Sequence, residues 1–187
     1  MDVILFLLLG AAVTTALYYA RWKYFDFPAQ VPEDYEAGQP QFDLREHLKG
    51  PITCEGVIFG PTGRVSSRFV ADFDAHWEGN VGVMKEHFRY DSGSTQDREW
   101  RLTVGNDGAI KADADDLVEP GVGMQRGSAV QLKYRIRLPE SSGGHVLDTT
   151  DWMYLVENGS IINKSQFRKY GFKVAELVAT MRRKDAA

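Results

Sequence analysis

Two hydrophobic patterns divide the chain. Residues Val3 to Ala20, VILFLLLGAAVTTALYYA, run 18 positions without a charge. At roughly 1.5 Å per helical residue they span about 27 Å, enough for a bilayer core. Beyond about residue 50 the period changes from continuous to alternating. Phe69, Ala71, Phe73, Ala75 and Trp77 oppose Arg68, Asp72, Asp74 and His76. Trp100, Leu102 and Val104 oppose Glu99, Arg101 and Thr103. Leu132, Tyr134, Ile136 and Leu138 oppose Gln131, Lys133, Arg135 and Arg137. A period of two is the mark of a half-buried antiparallel strand. Further strands are expected at Ile52–Phe59, Val81–Tyr90, Ala109–Asp115, His145–Val156 and Ser160–Lys169. Phe172–Lys184 fits a helix through Val174, Leu177, Val178 and Met181, and a strand through Phe172, Val174, Val178 and Thr180. A closing strand is preferred, because a barrel must join its last strand to its first.

The connections carry turn residues: Pro61-Thr-Gly63, Glu78-Gly-Asn80, Asp91-Ser-Gly93, Asn106-Asp-Gly108 and Asn158-Gly159. Such residues tolerate the positive φ of tight hairpins. The stretch Glu119 to Gly127 reads as a turn-rich connection. Strands joined by short turns form an up-and-down meander, and closure removes its exposed edges. The expected fold is all-β, an up-and-down antiparallel barrel of eight to nine strands behind one transmembrane helix. Residues 1–24 would be the anchor, 25–41 a Pro- and Gly-bearing linker, and 42–187 the barrel domain. Asp43 to Glu46 offers a helix-capping pattern, so one short helix is expected over Phe42–Leu48.

The apolar segment has the features of an anchor rather than a cleaved signal. Met1-Asp2 carries no basic side chain, and bulky Tyr18, Tyr19 and Trp22 stand where cleavage would fall. The aromatic exit, with Arg21 and Lys23, suits a headgroup interface. Leu7, Gly10, Ala11 and Thr14 put small and apolar groups at a spacing used in helix packing. Arg21 and Lys23 alone favour a cytoplasmic domain.

Charge and composition narrow the function. Without residues 1–23 the chain carries 20 basic and 25 acidic groups. An acidic domain argues against nucleic acid, whose phosphates need a basic face. The single cysteine, Cys54, excludes a disulfide framework. The histidines His47, His76, His87 and His145 form no metal-ligand spacing. No phosphate loop and no nucleophile elbow is present. No catalytic residue, metal site or cofactor is therefore assigned.

What remains is an aromatic barrel face with a few ionisable groups. Trp77, Phe88, Trp100, Tyr134, Trp152 and Tyr154 are candidates to line the interior. Glu86 shares a face with Phe88, and Arg98 with Trp100. Asp151 points away from Trp152 unless a bulge intervenes. A buried carboxylate needs a partner, and Arg98 is the natural one. The cluster either fixes the core as an ion pair or anchors an amphipathic ligand such as a lipid.

Several motifs together resemble one family. They include Gly60-Pro-Thr-Gly-Arg-Val-Ser-Ser-Arg-Phe69, Glu86-His-Phe-Arg-Tyr-Asp91 and Tyr134-Arg-Ile-Arg-Leu-Pro139. The most distinctive are Asp151-Trp-Met-Tyr154 and Ile161-Ile-Asn-Lys-Ser165. From about Phe42 onward the chain resembles the bacterial domain-of-unknown-function 3833 family, many of whose members are lipoproteins. The resemblance implies a lipocalin-like barrel in the cell envelope and no established activity. Relatives near genes for fatty-acid modification point to a lipid or fatty-acid ligand. The lipid-anchor cysteine of such relatives is absent, and an apolar helix stands in its place. Envelope membership favours a periplasmic domain on the inner membrane, against Arg21 and Lys23. Three functions are open: a lipid-binding barrel, an accessory or assembly subunit docked through its helix to a membrane complex, and a lipid-modifying enzyme with Glu86 or Asp151 as base.

Overall fold

The computed structural model describes residues 2–184. Met1 and residues 185–187, the outermost positions of the expected anchor and barrel domain, lie outside the described residues. Helix α1 spans Asp2–Tyr24, and Val3–Tyr24 is long and apolar enough to cross a membrane. Its apolar side chains are exposed along its length. Thr14 and Thr15 bond back to the carbonyls of Gly10 and Ala11, so their hydroxyls are satisfied within the helix.

The rest is one closed antiparallel barrel of ten strands in sequence order, with β1 pairing β10. The strands are β1 (Gly50–Phe59), β2 (Val65–Glu78), β3 (Val81–Tyr90), β4 (Thr95–Val104) and β5 (Ala109–Asp113). Then follow β6 (Gly121–Arg126), β7 (Ala129–Arg137), β8 (Val146–Leu155), β9 (Ile161–Lys169) and β10 (Phe172–Arg183). The strand beyond the expected eight to nine is β6, where the sequence reads as a connection. Its glycines hide it. A Cβ on Gly123 would stand 2.2 Å from the Gln131 carbonyl oxygen, so β6 meets β7 at a closeness only glycine permits.

The closing segment is a strand, but its faces differ from the simple alternation expected. The β9–β10 register shifts between Lys173 and Ala175. After this irregularity, partly buried Leu177 and buried Ala179 and Met181 belong to the interior, not Val178 and Thr180.

One barrel end is plugged. Helix α2 (Leu44–His47) is capped by Asp43, whose carboxylate accepts from the Arg45 amide at 2.9 Å. It buries Leu44, and Phe42 and Leu48 flank it in the core. The Trp77 indole donates to the Leu48 carbonyl at 2.7 Å, locking the plug to β2. The opposite end carries the turns after β1, β3, β7 and β9 and the loop 114–120.

Candidate functional site

Alternation along eight strands directs a mixed set of side chains into the barrel. Around its middle they line a partly open cavity of about 130 Å³. That holds about four waters at roughly 30 Å³ each, or one compact apolar group. The apolar lining includes Phe69, Phe73, Met84, Phe88, Trp100, Leu132 and Phe167, and the polar lining includes Glu86, Arg98, Tyr134, Asp151, Asn163 and Ser165. A wider groove of about 840 Å³ lies open over β2–β4 and Asp115–Asp116. Its outer charges are wet and several are partnered, such as Asp72 with Lys184 and Arg89. Glu86 and Arg98 line both spaces and form the boundary between the groove and the inner cavity.

Glu86 is the unusual member. It is 7% exposed, and its Oε2 has no hydrogen-bond partner among the described residues. Arg98 stands opposite it in the β3–β4 register. The expected Glu86–Arg98 salt bridge is nevertheless absent among the described residues. Arg98 turns instead to Asp116, with Nη2 donating to Oδ1 at 3.0 Å and Nε 2.8 Å from Oδ2. Asp116 thus takes one hydrogen bond from the guanidinium, and Nε lies close to its second oxygen without hydrogen-bond geometry. The guanidinium also lies 4.0 Å from the Trp100 ring centroid.

Burial, chiefly, pushes Glu86 up to about 7, with the Asp151 and Asp116 charges adding and Arg98 opposing. Burial likewise raises Asp151, although Ser165 donates to its Oδ1 at 2.8 Å and Asn163 donates to the same atom. Tyr134 is raised by burial and then by Asp151. Burial and the Glu86 charge lift the Cys54 thiol, which makes it a packing residue and not a nucleophile.

The sequence-derived candidates separate into three places. Phe88, Trp100, Tyr134, Glu86, Arg98 and Asp151 come together in the cavity. Trp77 sits at the plugged end. Trp152 and Tyr154 do not line the interior. The β8 register is unbroken from Asp148 to Leu155, so the inward position of Asp151 forces both rings outward. There they meet the segment expected to be a linker. Two short 3-10 turns, Phe27–Ala29 and Pro32–Tyr35, press it onto the barrel as a strap. The Tyr35 ring centroid lies 5.2 Å from that of Trp152 and 5.4 Å from that of Tyr154. Both tyrosine hydroxyls donate to Gln30 Oε1. The strap leaves Trp152 0% exposed.

A model of one protein family matches residues 25–183. The chain belongs to this family, "Protein of unknown function (DUF3833)". In this DUF3833 chain, the two most distinctive sequence motifs prove to be one structural unit. Asp151-Trp-Met-Tyr154 and Ile161-Ile-Asn-Lys-Ser165 are neighbours on β8 and β9. Inward they supply Asp151 with its donors Asn163 and Ser165; outward they build the socket of the strap. Tyr35 and Gln30 were not marked by the sequence pattern, since each lies in an irregular segment, and Asp116 read only as a strand-end acid that caps a turn. Asn163, Ser165 and Phe167 carry a signal after the fact, as alternate positions of one strand.

Solved structures share the fold. A protein from M. tuberculosis, Rv2717c, is 17% identical with a TM-score of 0.53, over 74% of this chain and 94% of that one. The S-type phycobiliprotein lyase CPES from Guillardia theta is 9% identical with a TM-score of 0.57, over 83% and 98%. A protein of unknown function from the DUF3598 family of Nostoc punctiforme is 10% identical with a TM-score of 0.53, over 79% of this chain and 51% of that one. No curated protein matches the chain in sequence.

Proposed function

We propose that this DUF3833 chain is a membrane-tethered, non-enzymatic barrel that binds the compact apolar part of an amphipathic or lipid molecule. The observation that carries the reading is the inner cavity with a buried Glu86 Oε2 at its wall that has no hydrogen-bond partner among the described residues. A barrel selected for stability alone would fill that space and replace that acid. The likeness in fold to a phycobiliprotein lyase fits a barrel that handles another molecule, and does no more.

Helix α1 supports the tether, with Tyr18, Tyr19, Trp22 and Tyr24 beside Arg21 and Lys23 as interfacial anchors. The strap then holds the helix exit against the barrel wall, where Lys164 Nζ lies 5.3 Å from the Phe27 ring centroid. The β9–β10 turn adds a second contact to the tether. Tyr170 and Phe172 are 87% and 77% exposed there, between Lys169 and Lys173. Aromatic rings among cations suit an anionic lipid surface. Family membership favours the bacterial inner membrane with a periplasmic barrel.

The test is native mass spectrometry of the full chain released from its membranes, with organic extraction of the sample. A non-covalent adduct with an apolar body is expected. A chain that flies bare, and also takes up no added benzyl alcohol, overturns the reading.

A further inference from the structure

The composition of the cavity wall selects among amphipathic ligands. Among its ionisable groups are two carboxylic acids, Glu86 and Asp151, and one guanidinium, Arg98. The guanidinium is paired with Asp116 through Nη2 and lies against the Trp100 ring, while its buried Nε makes no hydrogen bond among the described residues. Asp151 is also engaged, by Asn163 and Ser165. Glu86 Oε2 is left as a buried acceptor with no hydrogen-bond partner among the described residues, and the one neutral donor that faces the carboxylate is the Trp100 indole. A buried polar atom without a partner is costly, and a ligand that supplies the missing bond removes that cost.

We infer that the polar group of the ligand is a hydrogen-bond donor, a hydroxyl or an ammonium, seated on Glu86 Oε2, and not a carboxylate. This rests on the proposed binding function and narrows it against a fatty-acid ligand. A fatty-acid head group would bring a third carboxylate beside Glu86 and Asp151. Its only cation, Arg98, would first have to leave Asp116. An alcohol needs neither change. An ammonium adds charge complementarity with Glu86.

Protonation follows from the same surroundings. Facing Glu86 are Arg98 of β4, Tyr134 of β7, Asp151 of β8, Cys54 of β1, Asp116 of the loop and Tyr90 of its own strand. Glu86 passes from largely neutral to largely ionised between pH 6 and pH 8. Ammonium binding therefore strengthens over this interval, carboxylate binding weakens, and hydroxyl binding changes least.

Three one-ring probes of matched size test this: benzylamine, benzyl alcohol and benzoate. A cavity near 150 Å³ is known to take a benzene ring, so the probes suit the space. Calorimetric titration of the full chain in nanodiscs, at pH 6 and pH 8, reads all three. Benzylamine and benzyl alcohol should each bind about tenfold or more tightly than benzoate at pH 8. Benzylamine should gain severalfold from pH 6 to pH 8, and E86Q should erase both that gain and its advantage over benzoate. Benzoate binding as tightly as the other two at pH 8 would overturn the donor assignment and leave the binding barrel intact. Binding of none of the three would overturn the binding reading itself, and this inference with it.

Discussion

Glu86 sets stability against function at the scale of one residue. Below about pH 4.5 it is protonated in the folded and the unfolded chain alike, and its contribution to stability is at its most favourable. As pH rises the unfolded chain ionises first, so that contribution declines, and it is lost once the pH passes about 7. At pH 8 the displacement corresponds to about 3 kcal/mol. E86Q removes the ionisation and keeps the shape. It should stabilise the barrel at pH 8 by about 1–3 kcal/mol in urea unfolding, and little or not at all at pH 4.5. A variant less stable than the parent at pH 8 would mean that ionised Glu86 has a favourable partner. Surface acids slope the other way: Asp72, held down to about 2 by Lys184 and Arg89, loses its contribution as pH falls. They are common to both chains and cancel in the comparison. Alternation alone placed Glu86, Phe88, Arg98, Trp100 and Tyr134 on the inside. It could not choose between Asp151 and Trp152, and hydrophobicity favoured the wrong one. The reason is that a second layer, the strap, gives an outward tryptophan an apolar seat.

That strap is the main lesson at the scale of elements. Residues 25–41 have the proline and glycine content of a linker, yet Tyr35 joins two aromatic contacts and a hydrogen bond to Gln30. Tyr35→Ala should lower stability by about 2 kcal/mol and expose Trp152 to quenching by iodide. An unchanged quenching constant would show the strap to be held elsewhere. The strap is pinned again at the β6–β7 turn. Gly127 has φ 53°, and a Cβ there would fall 1.7 Å from the Tyr35 carbonyl oxygen. The strands were legible where polar and apolar residues alternate. β6 was not, because glycine contributes to neither face. β10 was only half legible, because an irregularity resets its phase. Both failures have one cause: the period of two describes ideal strands, and barrels bend through glycines and bulges.

At the scale of the molecule, short turns between consecutive strands left few topologies, and the closed meander is among the simplest. The ends of the barrel are unequal. One is plugged by α2 and Trp77. The other carries the exposed Tyr170–Phe172 turn, and the tether account sets that turn against the bilayer. Cys54 is the only cysteine and is buried, so Phe172→Cys offers a single accessible thiol. A polarity-sensitive dye attached there should shift to shorter wavelength in vesicles containing phosphatidylglycerol, relative to phosphatidylcholine alone. An emission maximum as in water, in both, would place the turn away from the lipid.

The most direct test of the account is to fill the cavity. Ala179 is buried on its wall, and Ala179→Leu adds a branched side chain to that space. The variant should fold, with its thermal midpoint within a few degrees of the parent, and should bind benzyl alcohol about tenfold or more weakly. Full-affinity binding in a folded Ala179→Leu variant would contradict the claim that the interior of the barrel is the binding site.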